Sequence, residues 1–157
     1  MKIFSIMLLI VFPFASVAQQ VKVSTGSIKN FASFPSKFVD PRNVDVWLPD
    51  NYSTKKKYAV LYMHDGQMLF DSTTTWNKQE WRVDETIGKL IASKKIRECI
   101  VVAIWNNFKK RNAEYFPQKA VSNLPVSIQD ELIQVRDQGF LGDNYLKFMV
   151  TELKPFI

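Results

Sequence analysis

Residues 58–67 read YAVLYMHDGQ, a continuous run of strand-forming residues that stops abruptly at His64-Asp65-Gly66. Apolar runs of this kind form strands of a parallel sheet that are covered on both faces. Polar groups and a glycine just past the carboxyl end of such a strand lie where α/β proteins bind their ligands. The segment therefore predicts an α/β fold with a candidate site at residues 64–67.

A second buried strand and an intervening helix complete this unit. Residues 99–105, CIVVAIW, predict the second strand, and apolar residues at i, i+4, i+7 and i+8 from Val83 predict an amphipathic helix. Asp84 and Glu85 in its first turn suit the helix dipole. The order strand, helix, strand implies parallel strands joined by a right-handed crossover.

The segments on either side of this unit are less regular. Residues 25–34 predict one or two edge-type strands, and residues 43–48 alternate with a period of two. Because Asp45 interrupts the apolar residues of that alternation, we expect this strand to lie near the edge of the sheet. The stretch 106–143 is too long for an ordinary connection, and such loops are usually functional or disordered.

A final amphipathic helix is expected over residues 145–157, with Asp143 as its cap. Its predicted apolar face consists of Leu146, Val150 and Leu153, with other apolar side chains beside them.

The first eighteen residues indicate an export signal. Lys2 precedes an apolar stretch, and small residues at 16 and 18 predict cleavage between Ala18 and Gln19. A transmembrane helix needs roughly 20 apolar residues, and this stretch is shorter. We therefore expect a signal peptide at 1–18 and a secreted or periplasmic domain at 19–157 with no membrane association after cleavage. The alternative is a membrane anchor or a buried first helix.

Composition argues against several classes of partner. The net charge is +6, but the basic residues are scattered rather than arranged in a stripe with interleaved aromatic residues, so nucleic-acid binding is not expected. Cys99 and His64 are the only residues of their types, which leaves no disulfide within the chain and no zinc or iron–sulfur spacing. We expect no metal and no cofactor, and a buried Cys99.

Residues 64–67 allow two kinds of chemistry. His64 could be a catalytic base oriented by Asp65, but neighbouring strand residues point to opposite faces, which favours a local structural role for His64. Gly66 and Gln67 are more informative through their backbone, because two N–H groups in a tight turn can bind a developing oxyanion. Glycine would permit the backbone conformation and the close approach of a substrate. An ordinary turn is the alternative.

Three further residues are candidates for the walls of a site. Arg111 and Glu114 are three residues apart and could pair with each other if the segment is helical. That pair is either a surface ion pair or a bracket that shapes the site. Trp76 is a candidate wall because aromatic rings near a cleft stack on sugar or aryl groups, whereas Trp105 is better explained by core packing.

These motifs together resemble the putative esterase family of α/β-hydrolases, which includes enterochelin, feruloyl, acetylxylan and esterase D-like enzymes. The resemblance covers residues 24–157. The matching segments are residues 46–49 (VWLP), 62–67 (YMHDGQ), 81–85 (WRVDE) and 111–117 (RNAEYFP). The resemblance implies a serine hydrolase with its nucleophile in a Gly-x-Ser-x-Gly elbow, followed by an acid and then a histidine.

The elbow is not found in these residues, because no two of the five glycines are four positions apart. We therefore expect the N-terminal half of an α/β-hydrolase fold, with a mostly parallel sheet flanked by helices and truncated before the nucleophile strand. Met68 stands where many relatives have Asn.

By resemblance, this would be the N-terminal fragment of a secreted serine esterase for small-molecule or carbohydrate esters. Its Gly66 and Gln67 N–H groups would form the oxyanion hole, and Trp76, Arg111 and Glu114 would shape the pocket. Nucleophile, acid and base would be missing, so the fragment would be inactive alone. The alternative is a secreted, non-catalytic binding module derived from the same fold.

The resemblance also predicts low stability for the isolated fragment. In this fold the nucleophile strand packs beside the strand that ends at His64, and without it that strand presents an unpaired apolar edge, which favours aggregation. We expect residues 19–157, expressed alone, to lack a cooperative unfolding transition in urea monitored by circular dichroism. A monomer with a sharp transition would contradict this expectation.

Overall fold

The structure is a computed structural model that describes residues 21–134 and 139–157. The predicted signal peptide at 1–18 and its cleavage site lie outside the described residues. Within the described stretches, no helix has both the length and the apolar character needed to cross a bilayer.

Four strands in the described residues form one mixed sheet with the order β1-β2-β4-β3. Their bounds are β1 Ser27–Phe34, β2 Arg42–Leu48, β3 Ala59–Met63 and β4 Cys99–Ile104. β3 pairs with β4 in parallel, as the sequence predicts, whereas β1 with β2 and β2 with β4 are antiparallel. The predicted α/β fold is confirmed, and parallel pairing is confined to β3 and β4 within the part of the chain that is described.

Residues 43–48 form a strand near the edge of the described sheet, as predicted, since β2 lies between the edge strand β1 and β4. Asp45 is nevertheless not on an exposed face: its side chain is fully buried. Its carboxylate accepts hydrogen bonds from Asn30 Nδ2 at 2.5 Å and from Trp105 Nε1 at 2.6 Å. Burial raises the pKa of Asp45. A polar residue with satisfied hydrogen bonds therefore occupies an interior position.

One face of the sheet is covered by helix α1, which spans Val83–Ala92 and confirms the predicted helix. Val83 packs here with Trp47, Val101 and Ala103. Trp47 is fully buried, and its indole Nε1 donates to the carbonyl oxygen of Thr25 at 2.7 Å. The stretch before β1 is thereby attached to this face.

The segment between β4 and the final helix contains short helices rather than an unstructured loop. These are α2 Arg111–Glu114, a 3₁₀ turn at Gln118–Asn123 and α3 Val126–Gln134.

The final helix covers the opposite face of the sheet. It comprises α4 Gly142–Lys147, a π-helical turn at Phe148–Leu153 and a last turn at Lys154–Phe156. We call this continuous element the C-terminal helix. Asp143 lies in its first turn, and Leu141 rather than Asp143 is the cap, so that prediction is wrong.

The apolar face predicted for the C-terminal helix is also wrong in part. Tyr145, Phe148 and Leu153 are buried, whereas Leu146 and Val150 are 56 % and 59 % exposed. The buried side chains pack against residues of β2 and β4. The stripe that makes the contact shares Leu153 with the predicted one but contains Tyr145 and Phe148 in place of Leu146 and Val150.

β3 is an edge strand of the described sheet, and its apolar side chains are partly exposed. It pairs with β4 on one side, and no described strand lies on its other side. Val60 and Leu61 are 41 % and 40 % exposed. The prediction that this run is covered on both faces is wrong for the described residues. An exposed apolar edge strand is a template for pairing with another chain.

We expect Leu61→Lys to reduce self-association of residues 19–157, because a charge on the open edge opposes strand pairing. The measurement is light scattering across a concentration series. The matched control is Phe108→Lys, which replaces a 79 % exposed side chain outside the sheet. Equal effects of both substitutions would assign self-association to general surface apolarity rather than to the β3 edge.

Candidate functional site

The candidate site lies where the parallel strands β3 and β4 end. Because their carboxyl ends meet at the same edge of the sheet, the residues that follow them are neighbours. Residues 64–68 follow β3, and residues 105–107 follow β4 and lead to α2. These two connections provide the polar groups of the site.

A tight turn follows β3. Asp65 has φ 55° and ψ 42°, the left-handed conformation, and precedes a 3₁₀ turn at Gly66–Met68. The N–H of Met68 donates to the carbonyl oxygen of Asp65 at 2.8 Å. The N–H groups of Gly66 and Gln67 come earlier in this turn and have no acceptor within it. They are therefore not used within the turn and are available to an acceptor outside it.

Gly66 is required by packing, not by its own backbone conformation. A Cβ atom at this position would lie 2.6 Å from the carbonyl carbon of Ala103 and 2.7 Å from its oxygen. The left-handed φ belongs to the preceding Asp65, although glycine was expected to supply it. The glycine lets the turn lie directly against the backbone of β4.

Gln67 contributes a side-chain contact as well as its N–H. Its Oε1 accepts a hydrogen bond from the N–H of Asn106 at 3.2 Å. This contact joins the turn after β3 to the connection after β4. The side chain therefore has a structural partner, and the backbone N–H is the group left for a ligand.

Asp65 is held by three side-chain donors. Arg111 donates through Nε to Oδ1 at 2.8 Å and through Nη2 to Oδ2 at 2.7 Å, and Asn106 Nδ2 donates to Oδ1 at 2.7 Å. The Arg111 hydrogen bonds are the main cause that lowers the pKa of Asp65, so the carboxylate is charged at neutral pH. A left-handed non-glycine residue costs roughly 1–2 kcal/mol, and these contacts offset that cost.

Glu114 pairs with β2. Its carboxylate accepts from Arg42 Nη1 at 2.8 Å and Nη2 at 2.7 Å, and both side chains are almost fully buried. The prediction that Arg111 and Glu114 pair with each other is therefore wrong, although the segment is helical as required. Glu114 reaches the first residue of β2, whereas Arg111 reaches the turn after β3.

The two ion pairs of α2 differ in their energetics. The Arg42–Glu114 pair is buried, and removing one partner of such a pair costs about 3–5 kcal/mol. The Arg111 side chain is 44 % exposed, and exposed pairs contribute about 1 kcal/mol or less. Glu114 therefore fixes α2 to the sheet, and the Arg111 pair is the weaker and more adjustable contact.

His64 makes local contacts. Its Nδ1 lies 2.9 Å from the hydroxyl oxygen of Tyr145, and its ring centroid is 4.8 Å from that of Tyr115. Burial lowers the pKa of His64, which favours the neutral ring at pH 7. The neighbouring Asp65 carboxylate is engaged by Arg111 and Asn106. These contacts support the structural interpretation of His64.

A cavity of about 480 Å³ lies beside this histidine. It is lined mainly by apolar and aromatic side chains of α2, the stretch that follows it and the C-terminal helix, including Tyr115, Phe116, Tyr145, Leu146 and Met149. Glu114 also lines it, whereas Trp76 and Arg111 do not. The Trp76 side chain is 76 % exposed. Of the two tyrosines that line the cavity, Tyr115 lies in the segment 111–117 that the sequence singled out, whereas Tyr145 lies outside it.

Arg42 and Tyr145 are site residues that sequence reasoning missed. The Arg42 guanidinium carbon lies 5.2 Å from the Tyr145 ring centroid, in the range of a cation–π contact. Burial raises the pKa of Tyr145. Neither residue belongs to a motif, and no local pattern distinguishes them from ordinary core and strand residues. Among the described residues, no group of three His, Cys, Asp or Glu side chains could hold a metal ion.

Comparison with known proteins identifies the family and the fold of this chain. A family model described as "Putative esterase" matches residues 36–157. An IroE-like serine hydrolase from Shewanella oneidensis superposes with a TM-score of 0.55 and 22 % identity over 83 % of this chain and 38 % of its own. The BES protein from Bacillus cereus gives a TM-score of 0.54 and 17 % identity over 89 % of this chain and 48 % of its own.

A ferulic acid esterase matches with a TM-score of 0.50 and 22 % identity over 85 % of this chain and 44 % of its own. At these identities the structures establish the α/β fold alone. The chain spans less than half the length of each of these three relatives.

The contact between Asp65 and Arg111 predicts a pH dependence. Because the fold favours the carboxylate, its stabilising contribution is present above the usual pKa of aspartate and is lost as the pH falls through the lowered value. In the protein made from the complete reading frame, we expect ¹³C NMR to give Asp65 a pKa below its usual range. Arg111→Ala should raise it, whereas Arg82→Ala, which removes an exposed pair with Glu85, should not.

Proposed function

Because the chain belongs to the putative esterase family, we propose that it supplies the oxyanion-binding part of a secreted serine hydrolase that cleaves carboxylic esters of small molecules or carbohydrates. The observation that carries this proposal is the turn after β3, in which the N–H groups of Gly66 and Gln67 have no acceptor within the turn.

The chemistry of ester cleavage explains why such a turn is useful. The carbonyl oxygen of the ester gains negative charge in the tetrahedral intermediate, and N–H donors already in position stabilise that charge without reorganisation. Loss of one such donor lowers kcat by about 10²–10³-fold. The packing of Gly66 on Ala103 and the Gln67–Asn106 hydrogen bond provide the required rigidity.

The predicted pocket residues have different roles in this proposal. Glu114 shapes the site by fixing α2 to β2 and by lining the cavity beside His64. Arg111 shapes it through its pair with Asp65. Trp76 offers an exposed aromatic ring to the alcohol or acyl group, and it has no contact with the cavity.

The nucleophile, acid and base would come from sequence outside these residues, because no Gly-x-Ser-x-Gly elbow is present in them. The chain by itself is then inactive. Export follows from the predicted signal peptide at 1–18.

A non-catalytic, secreted binding module is the second candidate. It is favoured by the cavity of about 480 Å³, a volume in the range of small-molecule sites, in a chain without an elbow. In that case the turn after β3 is only a structural connection.

Sequencing the DNA downstream of codon 157 separates the two candidates. We expect an open frame that encodes Gly-x-Ser-x-Gly, and we expect its product to hydrolyse p-nitrophenyl acetate with a steady-state rate measured at 405 nm. Replacing the serine of that elbow by alanine should abolish the activity, and residues 19–157 alone should show none.

A stop codon at position 158, or a full-length product without hydrolytic activity, would contradict the esterase proposal. Hydrolysis by residues 19–157 alone would contradict the assignment of the nucleophile to sequence outside the chain. Binding of esters without turnover would support the binding module.

A further inference from the structure

We propose that Arg111 is a positioning residue for the oxyanion turn, and that it acts through Asp65 rather than by touching the substrate. The oxyanion turn is defined as residues 65–68. This inference rests on the proposed function for its catalytic meaning. Its structural content, the dependence of the Gly66 N–H on Arg111, can be tested without any catalysis.

The backbone of Asp65 decides where the two N–H groups point. It is the left-handed residue between the extended β3 and the 3₁₀ turn at Gly66–Met68. A change of φ or ψ at this residue would rotate the plane of the next peptide, which carries the Gly66 N–H. Aspartate adopts this conformation less readily than glycine does, so the conformation needs outside support.

That support comes from two residues that follow β4 in the chain, Arg111 and Asn106. Arg111 donates hydrogen bonds to both carboxylate oxygens of Asp65, at 2.8 Å and 2.7 Å, and Asn106 donates to one of them at 2.7 Å. Two planar groups joined by two parallel hydrogen bonds fix orientation as well as distance. These hydrogen bonds thereby restrict the direction of the Asp65 side chain and, through it, the conformation of the Asp65 backbone.

The remaining contacts of the turn do not replace Arg111. Gly66 packs on Ala103, and Gln67 binds the N–H of Asn106, so these contacts attach the turn to β4 and its connection. Neither acts on the Asp65 carboxylate, and the Tyr115 hydroxyl oxygen accepts a hydrogen bond from the Asp65 N–H at a long 3.4 Å. Arg111 is also the contact that solvent reaches, since its side chain is 44 % exposed and that of Asp65 is 11 % exposed.

The position of Arg111 argues against direct substrate contact through the cavity. It is not among the residues that line the cavity beside His64, and its guanidinium carbon lies 5.0 Å from the ring centroid of Tyr115. The Tyr115 ring does line that cavity. Arg111 therefore lies outside the cavity lining, next to Tyr115, and its donors bind Asp65.

The experiment uses the protein made from the complete reading frame, labelled with ¹⁵N-glycine. The variants are Arg111→Ala and Asp65→Asn, and the matched control is Lys56→Ala, whose ammonium group also pairs with a carboxylate, that of Glu98, but before β3 and β4, at the opposite end of these strands from the turn. We expect the Gly66 amide resonance to shift and its hydrogen exchange to accelerate in the first two variants and to stay unchanged in the control.

Chemical rescue separates positioning from general destabilisation. Because the Arg111 site is solvent-accessible, added guanidinium ion should occupy the gap in Arg111→Ala and return the Gly66 resonance toward its wild-type position. Urea, which has a similar shape without the charge, should not. Arg111→Lys keeps the charge without the two-pronged geometry and should give an intermediate shift, which covers the case in which Arg111→Ala fails to fold.

Kinetics with p-nitrophenyl acetate test the catalytic meaning. We expect Arg111→Ala to lower kcat about 10- to 100-fold, with little change in KM. This fall in kcat is no larger than the one caused by removing an oxyanion donor itself, about 10²–10³-fold. A raised KM at constant kcat would overturn the proposal, because it indicates substrate contact. An unchanged Gly66 amide in both Arg111 variants would also overturn it. If the wild-type protein hydrolyses no ester, the proposed function fails, and the Gly66 resonance alone decides whether Arg111 positions the turn.

Discussion

The parallel pairing of β3 with β4 is the constraint on which the rest of the site depends. It brings two chain connections, separated by the whole of α1 in the sequence, to the same edge of the sheet. The contact is so close that only glycine fits at position 66, where the turn lies against the carbonyl group of Ala103. Neither connection could form the site alone, since the turn after β3 presents its N–H groups only while the connection after β4 holds it.

Helix α2 stabilises this arrangement although it is only one turn long. Glu114 at one end forms a buried ion pair with β2, and Arg111 at the other end reaches the turn after β3. A helix of four residues is unstable in isolation, so its position depends on these tertiary contacts. Through these two ion pairs, α2 connects β2 to the turn after the edge strand β3, beside the cavity that Glu114 lines. The side chains of Glu114 and Arg111 thus stabilise the fold and also set the position of α2 relative to the turn after β3.

Regular features were predictable from local patterns. The helix from Val83 is recognised because its apolar residues repeat with the helical period, and β4 because it is a short continuous run of apolar, strand-forming residues. Features that depend on distant partners were not predictable in this way. The burial of Asp45 is not visible in the local pattern, because its partners, Asn30 and Trp105, are remote in the sequence. The C-terminal helix was assigned the wrong buried stripe, because neighbouring apolar residues allow several stripes and only contact with the sheet selects one.

The sequence by itself determined the family and predicted the location of the site, because the turn residues at 64–67 and the segment at 111–117 are contiguous motifs whose order is visible in one dimension. Only the tertiary structure decided the partners of the charged groups. Arg111 and Glu114 are three residues apart and have opposite charges, yet each binds a residue far away in the chain. Local spacing shows which pairs are possible, whereas the energy of an ion pair depends on the burial and geometry that the whole fold provides.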